Sequence, residues 1–126
     1  MIKVNQDVHI PNDWISHLTQ TDKFAVLLKN NPAMFRLVTT KHPEVTEFYL
    51  DLEVLQEDFL ELMFKKIESF KIKPIYSSGV CFVEDTCYYL FLIDGDPDQI
   101  TKDGVVTALK EIQGVVDVLI RSYSMD

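Results

Sequence analysis

Glycine, proline and cysteine are all scarce in this sequence, at four, five and two residues of 126. So little glycine and proline excludes a collagen-like or low-complexity chain, and 47% hydrophobic against 25% charged residues excludes an intrinsically disordered one. No apolar run approaches the roughly 20 residues that span a bilayer, and the start MIKVNQDV lacks the basic and apolar regions of a secretory signal. The expectation is one globular protein of the cytoplasm without a membrane partner. Catalytic motifs are missing as well: there is no G-x-S-x-G, no glycine-rich phosphate loop and no H-E-x-x-H. His9, His17 and His42 all fall in the first 44 residues. A nucleophile formed by Cys81 with His17 or His42 is disfavoured, because an apolar strand raises a thiol pKa rather than lowering it. No catalytic residue, metal ligand or cofactor is therefore assigned, and the protein is expected not to be an enzyme.

Cys81 and Cys87 read as two small, buried, reduced thiols, with a disulfide across a hairpin as the alternative. Their C-x5-C spacing is not that of a zinc knuckle. Charge is shared unevenly. Up to Glu44 there are four acidic and five basic residues, and from Val45 onward sixteen acidic and seven basic, so the whole net charge of -8 belongs to the later part. That part repels phosphate, which argues against a nucleic-acid partner and leaves a basic protein partner as one reading.

The first 44 residues are expected to form an N-terminal extension of mostly short helices. Ile2 and Val4 suggest a short strand, Asn12 caps a helix carrying Trp14, Ile15 and Leu18, and a second helix is read through Phe24, Leu27 and Leu28. Asn31-Pro32 then stops it or starts another turn through Met34, Phe35 and Val38. This segment shows no basic recognition face, which disfavours a helix-turn-helix reader of DNA.

From Val45 the pattern sharpens. Phe48, Leu50, Leu52 and Val54 alternate with Glu47, Tyr49, Asp51 and Glu53, the period of a strand with one buried and one polar face. A helix follows on Phe59, Leu60, Met63, Phe64, Ile67 and Phe70. Residues 73–94 then read as a hairpin turning at Glu84-Asp85-Thr86, whose second strand, Tyr88 to Ile93, is apolar on both faces. Asp94, Asp96 and Asp98 alternate as in a calcium loop, but the sixth position is Gln99 and the twelfth Val105, where glycine and glutamate are needed. A capping box of Asp96, Pro97 and Gln99 explains them better. It opens a helix with Ile100, Val105, Ala108, Leu109 and Ile112 on one side, weak at Gly104 and ended by Gly114. A last strand places Val116, Val118 and Ile120 on one face. Strand, helix, strand, strand, helix, strand defines an α+β fold: a ferredoxin-like βαββαβ antiparallel sheet over residues 45–126.

The stretch Ala108-Leu109-Lys110-Glu111-Ile112-Gln113-Gly114-Val115-Val116-Asp117-Val118 resembles the closing helix, Gly-Val turn and last strand of the ACT domain family and of the related ligand-sensing domain of Lrp/AsnC-type regulators. The resemblance implies a non-catalytic regulatory module that dimerises through its sheet and binds an amino acid or similar metabolite between subunits. It points to the loop after the first strand, Leu55, Gln56 and Glu57, and to Ser77 and Ser78 on the neighbouring strand as ligand-binding residues. That loop lacks the glycine usual in ligand-binding members. The expected function is therefore a homodimeric, small-metabolite-sensing domain, and the alternative is an acidic interaction module docking on a basic partner. The doubly apolar Tyr88 to Ile93 strand also demands a cover for its second face, either the N-terminal segment, with Trp14, Phe24, Leu27 and Leu28 as the lid, or a second subunit.

Overall fold

Aromatic and branched side chains fill the strand Thr86–Asp94, and the rest of the structure is laid against it. A computed structural model describes residues 24–31, 34–53, 55–82 and 86–124. In chain order the elements are β1 (Phe24–Asn31), β2 (Met34–Thr40), β3 (Glu44–Leu52), α1 (Phe59–Ser69), β4 (Tyr76–Phe82), β5 (Thr86–Asp94), α2 (Gln99–Lys110) and β6 (Val115–Ser124). Strands β4-β5-β3-β6 form one antiparallel sheet, with the two strands joined through helices on the outside and β5 and β3 at the centre. This is the ferredoxin-like α+β arrangement.

Opposed residues share a face, so pairing of Phe48 with Phe91 places both on the side that meets the helices. There Phe48, Leu50, Leu52, Tyr89, Phe91, Ile93 and Val118 pack on Phe59, Met63 and Ile67 of α1 and on Val105 and Leu109 of α2. The Phe48 and Phe91 rings stack with centroids 4.9 Å apart. The apolar stripes are narrower than the periodicity suggests. Phe59, Met63 and Ile67 alone are buried on α1, while Leu60 and Phe64 stay exposed. On α2, Ile100 is 84% exposed because the helix begins only one residue before it. The helices meet where Gly104 faces Phe70: a Cβ built on Gly104 would lie 2.9 Å from that ring, so this glycine is a close-approach site.

The segment 24–40 corrects the expectation of an N-terminal helical extension. Phe24, Leu27 and Leu28 lie on β1, and Met34, Phe35 and Val38 on β2, paired antiparallel from Phe24↔Thr40 to Asn31↔Met34. Short apolar runs satisfy helical and extended spacing alike, and here each strand supplies the other's backbone partners. The expected elements through Ile2 and Val4 and through Asn12, Trp14, Ile15 and Leu18 lie outside the described residues, as do His9, His17, Pro32, Val54, Glu84 and Asp85.

Three further local expectations change. The cap of α2 is Asp98, which accepts from the Thr101 N–H at 2.7 Å, and Gln99 reaches forward to Asp103 at 2.8 Å instead of back. Helix α2 ends at Lys110, and Gly114, at φ 95°, makes the turn into β6 that other residues rarely adopt. In β6 the register shifts between Asp51↔Asp117 and Leu52↔Val115, so Val116 falls in a bulge and is 64% exposed instead of joining Val118 inside.

Candidate functional site

Strand β3 was expected to wet one face, yet on the side away from the helices Val45 is buried and so is Glu47. Tyr88, Leu90 and Leu92 of β5 point the same way and are also buried, and Leu92 gathers Val38 of β2, Val45, Ile75 and Tyr76 into a second apolar cluster. Glu47, opposite Leu92 on one side and Arg121 on the other, is drawn under the same cover.

A carboxylate there is held between two influences. Burial pushes the Glu47 pKa up, while the Arg121 charge and a hydrogen bond from the Tyr123 hydroxyl, at 3.5 Å, pull it down without overcoming burial. Two phenols on this face are affected in the same sense. Tyr49, stacked on Tyr88 at 5.1 Å, has its pKa raised by burial and by Asp51 and Tyr88, and Tyr123 has its own raised by burial and by Glu47. Both stay neutral hydrogen-bonding groups. Beyond them β6 forms the edge, with Leu119, opposite Tyr49, 42% exposed.

At the end of the sheet where β3 begins, short polar side chains tie the loops together. Thr40 donates to the Asp94 carboxylate and accepts from the His42 N–H at 3.1 Å, which fixes β2 to β5. Thr46 donates to the Gly95 carbonyl at 2.8 Å. Asp96 takes Lys102 at 2.5 Å and Ser122 at 3.1 Å, and these partners, Lys102 foremost, hold its pKa below the usual carboxylate range. The alternating aspartates thus serve as loop ties and a cap, and among the described residues no group of acidic, His or Cys side chains is arranged to hold a metal ion.

At the opposite end Cys81 and Cys87 face each other across β4 and β5 and are joined in a disulfide. This corrects the reading as reduced thiols: direct cross-strand opposition brings the two Cα atoms to 4.0 Å. The nucleophile of Cys81 with His42, disfavoured from the sequence, has no support in the geometry. His42 lies beside Gly95, seven β3 positions or about 20 Å from the Leu52 end where Cys87 pairs.

The five residues singled out for a ligand do not converge within one chain. Leu55, half exposed, Gln56 and Glu57 lead into α1, where the Gln56 carbonyl accepts from the Phe59 N–H at 3.1 Å. Ser77 opposes Phe91 and Ser78 opposes Leu90, so the two serines point to opposite faces, roughly 13 and 10 Å along the sheet from the Cys87 end. Glu47, Arg121 and Tyr123 were not singled out. The signal available for them was the unbroken apolar character of β5, which sits beside Glu47.

No protein-family model matches the chain, and no curated protein matches it. Solved structures do. The regulatory subunit of aspartate kinase from Thermus thermophilus in its ligand-free form is similar with a TM-score of 0.51 and 15% identity, over 63% of this chain and 51% of that one. LarC2, the C-terminal domain of a cyclometallase involved in the synthesis of the NPN cofactor of lactate racemase, is similar with a TM-score of 0.50 and 9% identity, over 66% and 56%. The chain spans about half the length of these structures. At such identities the likeness is one of fold: the sheet and its two helices form an ACT-like, ferredoxin-like domain.

Proposed function

We propose that the protein is a non-catalytic regulatory domain that pairs with a second copy through its sheet and binds a small metabolite such as an amino acid at the resulting interface. The observation that carries this reading is the edge of the sheet. Among the described strands β6 pairs only with β3, it runs ten residues, and it presents Val116 and Leu119 to solvent. A long edge with exposed apolar side chains is a ready template for another strand. The split placement of Leu55, Gln56 and Glu57 against Ser77 and Ser78 agrees with a site that one chain leaves incomplete. The fold likeness to a regulatory subunit supports the same reading. No observation on the fold favours the acidic docking module.

In this reading the protein works in the cytoplasm, where thiols are kept reduced, so the Cys81–Cys87 bridge closes there only under oxidising conditions. The test combines native mass spectrometry with a thermal-shift screen of amino acids. A dimer whose Tm rises by a few degrees with one amino acid at about a hundred times its Kd is expected. A monomer at all concentrations, with no amino acid raising Tm, overturns the proposal.

A further inference from the structure

From Val45 onward the chain has seven basic residues against sixteen acidic ones, so each cation has acids in excess to pair with. Four do so: Lys65 pairs with Glu61 at 3.1 Å, Lys66 with Glu111 at 3.3 Å, Lys102 with Asp96 at 2.5 Å and Lys110 with Asp117 at 3.6 Å. Arg121 makes no ion pair among the described residues but has Glu47 opposite it in the ladder. Lys71 and Lys73 make no ion pair among the described residues either, and both line one half-open cavity of about 420 Å³ beside the C-terminus of α1. That volume is in the range of small-molecule sites.

The local backbone explains how the cavity forms. The Ile72 N–H bonds the Ile67 carbonyl at 3.2 Å and the Lys71 N–H bonds the Glu68 carbonyl at 2.8 Å, the Schellman pattern that ends a helix and brings Ile72 onto Ile67. These two, with Pro74 and the ring of Phe64, 39% exposed, supply an apolar wall. The position after the cap takes φ 60°, where glycine is usual, and the sequence has Lys71 instead. A lysine is kept at a backbone conformation that disfavours it, and an outlier at a cavity rim points to use.

We infer that this cavity is a binding site for an amphipathic monocarboxylate, seated with its apolar body on Phe64, Ile67, Ile72 and Pro74 and its carboxylate on the ammonium groups of Lys71 and Lys73. Glu68 lies in the same lining. Its charge repels phosphates and other multiply charged anions more than a single carboxylate, which sets the class of ligand. The site is complete within one chain, so it stands apart from the subunit-interface site proposed above and survives if that proposal fails.

The experiment titrates the ¹⁵N-labelled protein with 4-methylpentanoate through the millimolar range, with 4-methylpentylamine and inorganic phosphate as controls. Saturable shifts at Phe64, Ile67, Lys71 and Ile72 from the carboxylate, and weaker or no shifts from the amine and phosphate, support the site. The Lys71→Glu/Lys73→Glu variant is expected to weaken binding at least tenfold. Lys71→Gly serves as the folding control: it relieves the backbone, melts no lower than the parent and binds severalfold more weakly. Equal response to the amine, shifts centred elsewhere, or affinity unchanged in both variants overturns the inference.

Discussion

On the helix side of the sheet Phe48, Leu50, Phe91 and Val118 meet Phe59, Met63, Val105 and Leu109, whereas on the other side Leu92 and Val45 share their layer with a buried carboxylate and the tyrosines Tyr49, Tyr76, Tyr88 and Tyr123. The first face is closed by helices the sheet itself connects, so its burial follows from the topology. The second mixes apolar and ionisable groups, which an internal core avoids because each buried charge needs a partner. A face of this kind carries groups whose charge changes with pH, Glu47 foremost.

Cavity-forming substitutions on adjacent residues of β5 separate the faces most sharply. Phe91→Ala empties a fully buried position stacked on Phe48 and is expected to cost about 3–5 kcal/mol, a large part of a typical domain's total stability of about 5–15 kcal/mol. Leu92→Ala, equally buried, is expected to cost only about 2–3 kcal/mol, because the part-buried Ile75 packed beside it can settle into part of the space. Urea unfolding of both variants measures the difference. A Leu92→Ala cost equal to or above that of Phe91→Ala would show the second face to be packed as tightly as the first.

The disulfide offers a middle-sized test, comparing the two ends of the sheet. It closes a loop over a sequence separation of six between Cys81 and Cys87, which corresponds to about 2 kcal/mol in the chain-entropy account. Reduction by a dithiol should lower stability by that order and raise hydrogen exchange at Val80, Cys81, Cys87 and Tyr88. The Thr46 and Asp96 end, tied by side-chain hydrogen bonds, should keep its protection. Uniform loss of protection along the sheet would mean that the two ends are not independent.

The four-stranded unit was legible in the sequence because period-two and period-3.6 patterns from Glu44 onward are long and flanked by clear turns. Phe24 to Val38 was not, since apolar runs of five residues or fewer fit a helix and a strand equally well and no local residue decides between them. Leu60, Phe64 and Ile100 misled in a different way: each has the spacing of a core stripe, but only contact with a partner decides how wide the buried stripe is. Glu47 defied the alternation rule: it is buried on the face where the pattern puts solvent, opposite Leu92, a residue 45 positions along the chain that local reading cannot bring to it. The cavity at Lys71 and Lys73 left even less trace, since it depends on a left-handed residue that the sequence would assign to glycine.

The finest distinction between the faces is electrostatic, and Glu47→Gln isolates it. Burial holds the Glu47 pKa above its ordinary 4.5, so between that value and its folded pKa the folded state binds more protons than the unfolded one. The stabilisation is full below about pH 4.5 and is lost as pH rises through the folded pKa. Asp96 and Asp98 run the other way: their folded pKa values lie below 3.8, and the stability they add is present above 3.8 and lost as pH falls through the folded values, so the windows do not overlap. Glutamine keeps an acceptor for the Tyr123 hydroxyl and removes the buried charge, and Arg121 is exposed enough to be solvated alone. The variant should match the parent near pH 4.5 and become the more stable of the two toward pH 8, as read from urea midpoints across that range. A constant offset would mean that Arg121 and burial cancel and leave the folded pKa unshifted, and a parent more stable at neutral pH would mean that the Arg121 charge outweighs burial.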